Sequence, residues 1–227
     1  MTTLIGIKAG KGKEGVILVS DSSQTTISKE DRGDIIYIQK TKSDTQKIHV
    51  DNDKRFAISM SGVYDKPYRE MLADILNGKI DIEKVIKDGY FNELKETNLK
   101  RWDGRMPGPN LNSLLIASRF DNKPSLYNCW PLGRVEETDW ISVGSGSKYA
   151  EEYIQKKGLL IPKGISLDEG IKLADSSIKE ASHDIYTGGM DMVIITPDKI
   201  KEYGKFIKDS MNDANEKIIN KIIEDCP

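Results

Sequence analysis

The residues best suited to chemistry begin at the amino terminus. Once Met1 is removed, Thr2 carries a free α-amino group. Such an amine has an ordinary pKa of about 7.7–8.0, so near neutrality it can accept the hydroxyl proton of its own residue. A threonine hydroxyl is a poor nucleophile without such a base beside it. The chemistry this could support is nucleophilic attack by the activated hydroxyl. Alone, Met1-Thr2 is an ordinary start to a protein. Asp21 and Lys47 are the partners that give it meaning. A lysine ammonium near a hydroxyl favours the alkoxide, and a carboxylate keeps that lysine charged and oriented. Lys47 is therefore expected to act on reaction rate, with little effect on stability. In isolation both would be read as solvated surface charges, since the chain has 34 Lys and Arg and 36 Asp and Glu.

Two glycine segments could serve the same reaction. Ser61-Gly62 follows a strand-like run and precedes a helical one. A glycine there lets a substrate approach the backbone, and its N–H can face a developing oxyanion. The plain alternative is a strand-to-helix turn. Gly144-Ser145-Gly146-Ser147 precedes another helical run and could form an anion-binding turn. It lacks the Lys of a phosphate loop, and no complete GxGxxG is present. His183-Asp184-Ile185-Tyr186-Thr187-Gly188-Gly189 ends a helical run with carboxylate and hydroxyl groups, which helix capping alone could explain.

These residues must be positioned by strands and helices in a definite order. Thr2–Lys8 and Gly15–Asp21 read as a strand pair joined by the Gly10–Gly15 turn. Residues Ser22–Asp44 are polar, with a short strand expected at Ile35–Gln39. Lys47–Val50 and Arg55–Ser61 form a second pair, turning at Asp51-Asn52-Asp53. Tyr68, Met71, Leu72 and Ile75 then recur at helical spacing, and Asn77-Gly78 stops the run. Ile82–Glu96 is a second helix candidate. After the Trp102–Asn112 loop come strands at Ser113–Arg119, Pro124–Cys129 and Trp140–Val143. Lys148–Lys157 and Ser166–Glu180 are helical, the latter opening with capping-box spacing at Ser166 and Glu169. Met190–Thr196 is a buried-type strand. Ile200, Tyr203, Ile207, Met211, Ala214, Ile218 and Ile222 form one apolar seam, which predicts an amphipathic helix over Ile200–Ile223. This order predicts a layered α+β domain over residues 1–199 with a helical extension over 200–227.

Composition removes other classes of function. The net charge of −2 argues against a strongly basic nucleic-acid binder. Cys129 and Cys226 give no disulfide framework, and His49 and His183 are too few for a His/Cys zinc site. No cofactor or metal is expected. No apolar run reaches the length of a membrane span, and the start lacks a secretory pattern, so a cytoplasmic location is expected.

Taken together, the segments resemble the proteasome β-type subunit and HslV family of N-terminal nucleophile threonine hydrolases. The resemblance rests on Thr2-Thr3 through Ile7, Gly15–Asp21, Lys47-Ile48, Ser61-Gly62 with Tyr64-Asp65, Val143–Ala150 and Ala181–Asp191. These appear in family order over residues 2–196. The resemblance implies a four-layer αββα sandwich. It implies Thr2 as nucleophile and base, tuned by Asp21 and Lys47, with Gly62 supplying the oxyanion N–H. Ser145, Asp184 and Thr187 would hold the Thr2 amine and its proton network. Thr25, Met60 and Tyr64 are the substrate-binding candidates, Met60 as the floor of the S1 pocket. The implied reaction is threonine-type cleavage of peptide bonds. The rivals are transpeptidation with an amine acceptor and a non-catalytic structural ring subunit. The partners are a polypeptide substrate and a homo-oligomeric ring or related subunits, with an ATPase unfoldase as a further candidate. Neither nucleic acid nor a membrane is among them. The chain departs from the family in a longer first turn, an insertion between Thr25 and Lys47, and Ser23 in place of the usual Arg.

Overall fold

Strands with β-branched residues at nearly every position are buried on both faces, and several runs here have that character. The computed structural model describes all residues except 1–2, 22, 33–34, 45, 63–64, 102–111, 159–160, 162, 182–189, 204–214 and 226–227. For 23–32, 35–44, 101 and 215–218 it describes the backbone alone. The first strands are β1 (Thr3–Ala9), β2 (Gly15–Ser20), β3 (Ser23–Arg32), β4 (Ile35–Asp44), β5 (Ile48–Val50) and β6 (Phe56–Ser61). Helices α1 (Lys66–Leu76), α2 (Ile82–Asp88) and α3 (Asn92–Arg101) follow. Next come β7 (Ser113–Ser118), β8 (Ser125–Cys129), β9 (Val135–Glu137) and β10 (Trp140–Gly144). The chain continues through α4 (Ser147–Lys157), α5 (Leu167–Ala181), β11 (Asp191–Ile195), β12 (Ile200–Glu202) and α6 (Asn215–Asp225).

Two five-stranded antiparallel sheets result, in the orders β10-β1-β2-β11-β12 and β5-β6-β7-β8-β9. Side chains alternate across each sheet, and the two faces go to different cores. Leu4, Val16, Leu18 and Val193 of the first sheet meet Ile48, Ala57, Leu115, Ala117 and Leu126 of the second. Ile5, Ile7, Ile17, Val19, Met192 and Ile194 face outward onto α4 and α5. Phe56, Ile58, Leu114 and Ile116 face outward onto α1, α2 and the start of α3. The layers are therefore helix, sheet, sheet, helix: the four-layer αββα sandwich. Gly6 lies where the two sheets come close, since a Cβ there would sit 2.7 Å from Leu126 Cδ1.

Local expectations hold in detail for two helices. Tyr68, Met71, Leu72 and Ile75 are the buried residues of α1, and Asn77 caps its end. The capping box forms at α5: Glu169 Oε2 accepts from Ser166 N at 2.8 Å, and Ser166 Oγ accepts from Glu169 N at 3.3 Å. Three expectations are corrected. The run over Ile82–Glu96 is two helices, because Gly89 adopts the left-handed conformation and ends α2. The polar stretch after Ser22 is a hairpin of two ten-residue strands, paired from Ser23↔Asp44 to Arg32↔Ile35. The terminal helix does not start at Ile200: Ile200–Glu202 is a strand antiparallel to β11. Thr196 N–H donates to Lys199 O at 2.9 Å and turns the chain back along the sheet. Of the seam, Ile200 lies in the core between the sheets, whereas Tyr203 and Ile222 join Ile219 in the outer core under α5.

Candidate active site

The site lies where one end of the first sheet meets the start of β5. Ser20 ends β2 and Asp21 follows it, beside the beginning of β1. Thr3 N–H donates to Asp21 Oδ1 at 2.6 Å. The other carboxylate oxygen, Oδ2, accepts from Lys47 Nζ at 2.7 Å. This ion pair is almost sealed, with the Lys47 side chain 8% exposed and the Asp21 side chain 0%. Burial pushes the Asp21 carboxyl above its ordinary range, while the Lys47 ammonium and the Thr3 N–H pull it down.

Lys47 is held by its backbone as well as by its ammonium. Its N–H donates to Asp191 Oδ2 at 3.0 Å, and its carbonyl accepts from Ser59 Oγ at 2.8 Å. Asp191 opens β11 opposite Ser20 in the first sheet, while Ser59 belongs to β6 in the second. The lysine is thus fixed from both sheets, with its charge on the carboxylate that also binds the Thr3 N–H. The imidazole of His49 is half-buried, and burial pushes its pKa down while the nearby Asp191 charge opposes this.

The β10–α4 turn closes another side. Gly146 N–H donates to Thr3 Oγ1 at 2.9 Å, which ties the glycine turn to the first strand. The Ser145 hydroxyl is buried and has no hydrogen-bond partner among the described residues. At the end of β6, Gly62 has φ +112°, a conformation that disfavours any side chain. Here the objection is also steric, since a Cβ would lie 2.0 Å from Asn112 Oδ1. Asn112 Nδ2 in turn donates to Met60 Sδ at 3.4 Å.

Of the residues singled out from sequence, Asp21 and Lys47 are joined directly, while Gly62 and Met60 are linked through Asn112. Ser145 adjoins Gly146, which binds Thr3. Thr2, Tyr64, Asp184 and Thr187 lie outside the described residues. Thr25 lies on β3, where only the backbone is described, opposite Lys42. Sequence reasoning missed the roles of Thr3, Ser59, Asn112 and Asp191. Only Asp191 carried a readable signal, as a carboxylate opening an otherwise apolar strand. Cys129 is no rival nucleophile: it is buried in β8, and burial pushes its thiol up to about 12. Among the described residues no cluster of His, Cys, Asp and Glu could hold a metal ion, and no helix is long and apolar enough to cross a membrane.

Comparison with known proteins gives the same assignment. A family model described as proteasome subunit matches residues 79–195. The chain belongs to the proteasome subunit family. Its relatives place it with the β type. The proteasome subunit beta 2 of Pyrococcus furiosus is 29% identical over 206 residues, covering 89% of this chain and 90% of the relative. The proteasome subunit beta 1 of Thermococcus sibiricus is 27% identical over 206 residues, covering 90% and 91%. The proteasome subunit beta of Methanopyrus kandleri is 36% identical over 90 residues, covering 39% and 41%. A β-type proteasome role follows for this chain, and the buried Asp21–Lys47 pair stands in that family's fold.

Proposed function

We propose that this β-type subunit is a threonine peptidase that cleaves peptide bonds through a Thr2 acyl-enzyme. The observation that carries the reading is the sealed Asp21–Lys47 pair, whose carboxylate also accepts the N–H of the residue next to Thr2. After Met1 is removed, the Thr2 amine takes the proton of its own hydroxyl as the oxygen attacks the scissile carbonyl. The Lys47 ammonium favours the alkoxide, and the Gly62 N–H faces the oxyanion. Collapse of the tetrahedral intermediate breaks the C–N bond. The protonated amine returns its proton to the leaving nitrogen, and an ester to Thr2 remains. Water then attacks that ester, releasing the carboxylic acid and restoring the hydroxyl. Ser145, Asp184 and Thr187 hold the amine in this scheme. The buried Ser145 hydroxyl, unpaired among the described residues, is suited to that task. Thr25, Met60 and Tyr64 border the substrate groove. The working form is a ring of identical or related subunits in the cytoplasm, supplied with polypeptide by an ATPase unfoldase.

Intact mass and covalent labelling test this. The mature protein should lack Met1 and gain the mass of a peptide electrophile at Thr2. Thr2→Ala should abolish labelling with the fold intact, and Thr2→Ser should keep part of it. Retained Met1 with no labelling would instead favour the non-catalytic ring subunit.

A further inference from the structure

Continuing the β6–β7 register beyond Ser61↔Ser113 brings Asn112 opposite Gly62. Asn112 is fully buried, and its side chain has two neighbours of functional interest. Its amide nitrogen donates to the Met60 thioether at 3.4 Å. Its oxygen lies over the Gly62 backbone, where a Cβ would be only 2.0 Å away. The backbone of Asn112 is anchored too. Asn98 of α3 is 1% exposed and donates from Nδ2 to Asn112 O at 3.3 Å and to Pro131 O at 2.8 Å. The Tyr68 hydroxyl of α1 donates to Asn98 Oδ1. A fully satisfied buried network of this kind fixes one side-chain arrangement.

We infer that Asn112 is a positioning residue for P1 selection, with one amide locking the Met60 side chain to the Gly62 backbone. Met60 is half-buried and has a flexible, unbranched side chain. Without a fixed partner its thioether end would sample several rotamers, and the pocket it floors would have no single depth. The Asn112 N–H selects one of them. The same side chain fills the space beside Gly62, so pocket depth and oxyanion donor are set by one group. The substrate class that fits is a peptide with an apolar P1 side chain, because the polar end of Asn112 is spent within the protein. This inference rests on reading Met60 and Gly62 as the S1 floor and the oxyanion donor.

The test compares peptides with Leu and with Ala at P1, using the full-length assembled protein. In Asn112→Ala, KM for the Leu peptide should rise by about fivefold while kcat changes less, and the Leu/Ala preference in kcat/KM should shrink by a similar factor. Met60→Leu keeps the volume and removes the sulfur acceptor. Combined with Asn112→Ala, its effect on preference should be less than the product of the single effects. Asn112→Thr retains size and a hydroxyl donor, serves if the alanine variant does not fold, and should keep part of the preference. Unchanged preference in a folded Asn112 variant, or fully multiplicative effects, would overturn the inference while wild-type labelling at Thr2 continued. A wild-type protein that neither labels nor cleaves would overturn the peptidase reading and this inference together.

Discussion

On one side of β6 the molecule buries charge, and on the other it buries neutral amides. Around Lys47 lie Asp21 and Asp191, at 0% and 2% exposure. Around Asn112 lie Asn98 and Tyr68, equally buried and uncharged. The two clusters answer different needs. Charge held at low exposure acts on a reacting atom at a distance, because little water screens it. An amide network exerts almost no field beyond its neighbours, yet it fixes directions and volumes. The first cluster is suited to setting how fast a bond is made, and the second to setting which side chain is seated when that happens.

The largest expected effect comes from breaking the charged cluster. Lys47→Ala removes the cation facing Asp21 and should slow acylation of Thr2 by about 100-fold or more. The sequence alone suggested little change in stability, but the sealed pair changes that expectation. Removing one partner leaves a buried carboxylate, and such losses run to about 3–5 kcal/mol. The sign with pH is definite. The Asp21 carboxyl is already raised by burial, and losing Lys47 raises it further. A raised folded value binds protons that the unfolded chain does not, so stability is complete below the unfolded value and declines as pH rises from there to the folded one. Urea denaturation of the variant should therefore show a smaller deficit at acid pH than at neutrality. Normal turnover together with normal stability would show that the Lys47 charge serves neither the reaction nor the fold.

Breaking the neutral cluster should give the opposite profile. Asn98→Ala removes at once the hydrogen bonds that one buried side chain donates to the Asn112 and Pro131 carbonyls and accepts from the Tyr68 hydroxyl. The cost should be about 3 kcal/mol of stability, as expected when buried partners lose their hydrogen bonds. The acylation rate constant per folded molecule should change by less than about threefold, far below the loss from a preorganised charge. Chemical denaturation and single-turnover labelling measure the two quantities separately. A hundredfold slower acylation in this variant would show that the two clusters are not distinct.

What could be read in advance follows the same division. Continuous apolar and β-branched runs announced most of both sheets, and the helical runs announced α1, α4 and α5. Which face each side chain takes was not legible in such runs: Ile58 turns outward and Ala57 inward, yet both are apolar and buried. Asp21 and Lys47 were legible because charges at strand ends are conspicuous once a nucleophile between them is suspected. Asn112 was not, because an asparagine beside a Gly/Pro-rich loop looks like turn chemistry. Its role depends on Asn98 and Met60, which are distant in sequence. The β3–β4 hairpin was hidden for a different reason: Ser, Thr and Lys dominate much of it, so little apolar alternation marks the strands. The strand at Ile200–Glu202 was masked by an accident of spacing. Ile200 and Tyr203 stand three apart, as in a helix, but they serve two different cores.

The smallest effect concerns the outer member of the charged cluster. Asp191→Asn keeps an oxygen able to accept the Lys47 N–H while removing the charge near His49. Lys47 should stay in place, so the acylation rate should fall by less than about tenfold, in keeping with loss of a supporting charge rather than a reacting group. His49 should respond more clearly. Burial lowers its pKa from 6.5 and the Asp191 charge partly restores it, so the variant leaves burial unopposed and the value falls further. The sign for stability is again fixed. A histidine with a lowered folded value binds fewer protons than the unfolded chain, so stability is complete above the unfolded value and declines as pH falls towards the folded one. In the variant that decline should extend to lower pH and reach a greater depth. An NMR titration of the His49 ring, assigned with His49→Gln, reads the shift directly, and denaturation across the same range reads its consequence. A His49 value that stayed still or rose would mean that Asp191 does not act on it through charge. The outer edge of the cluster would then be an anchor for the Lys47 backbone alone.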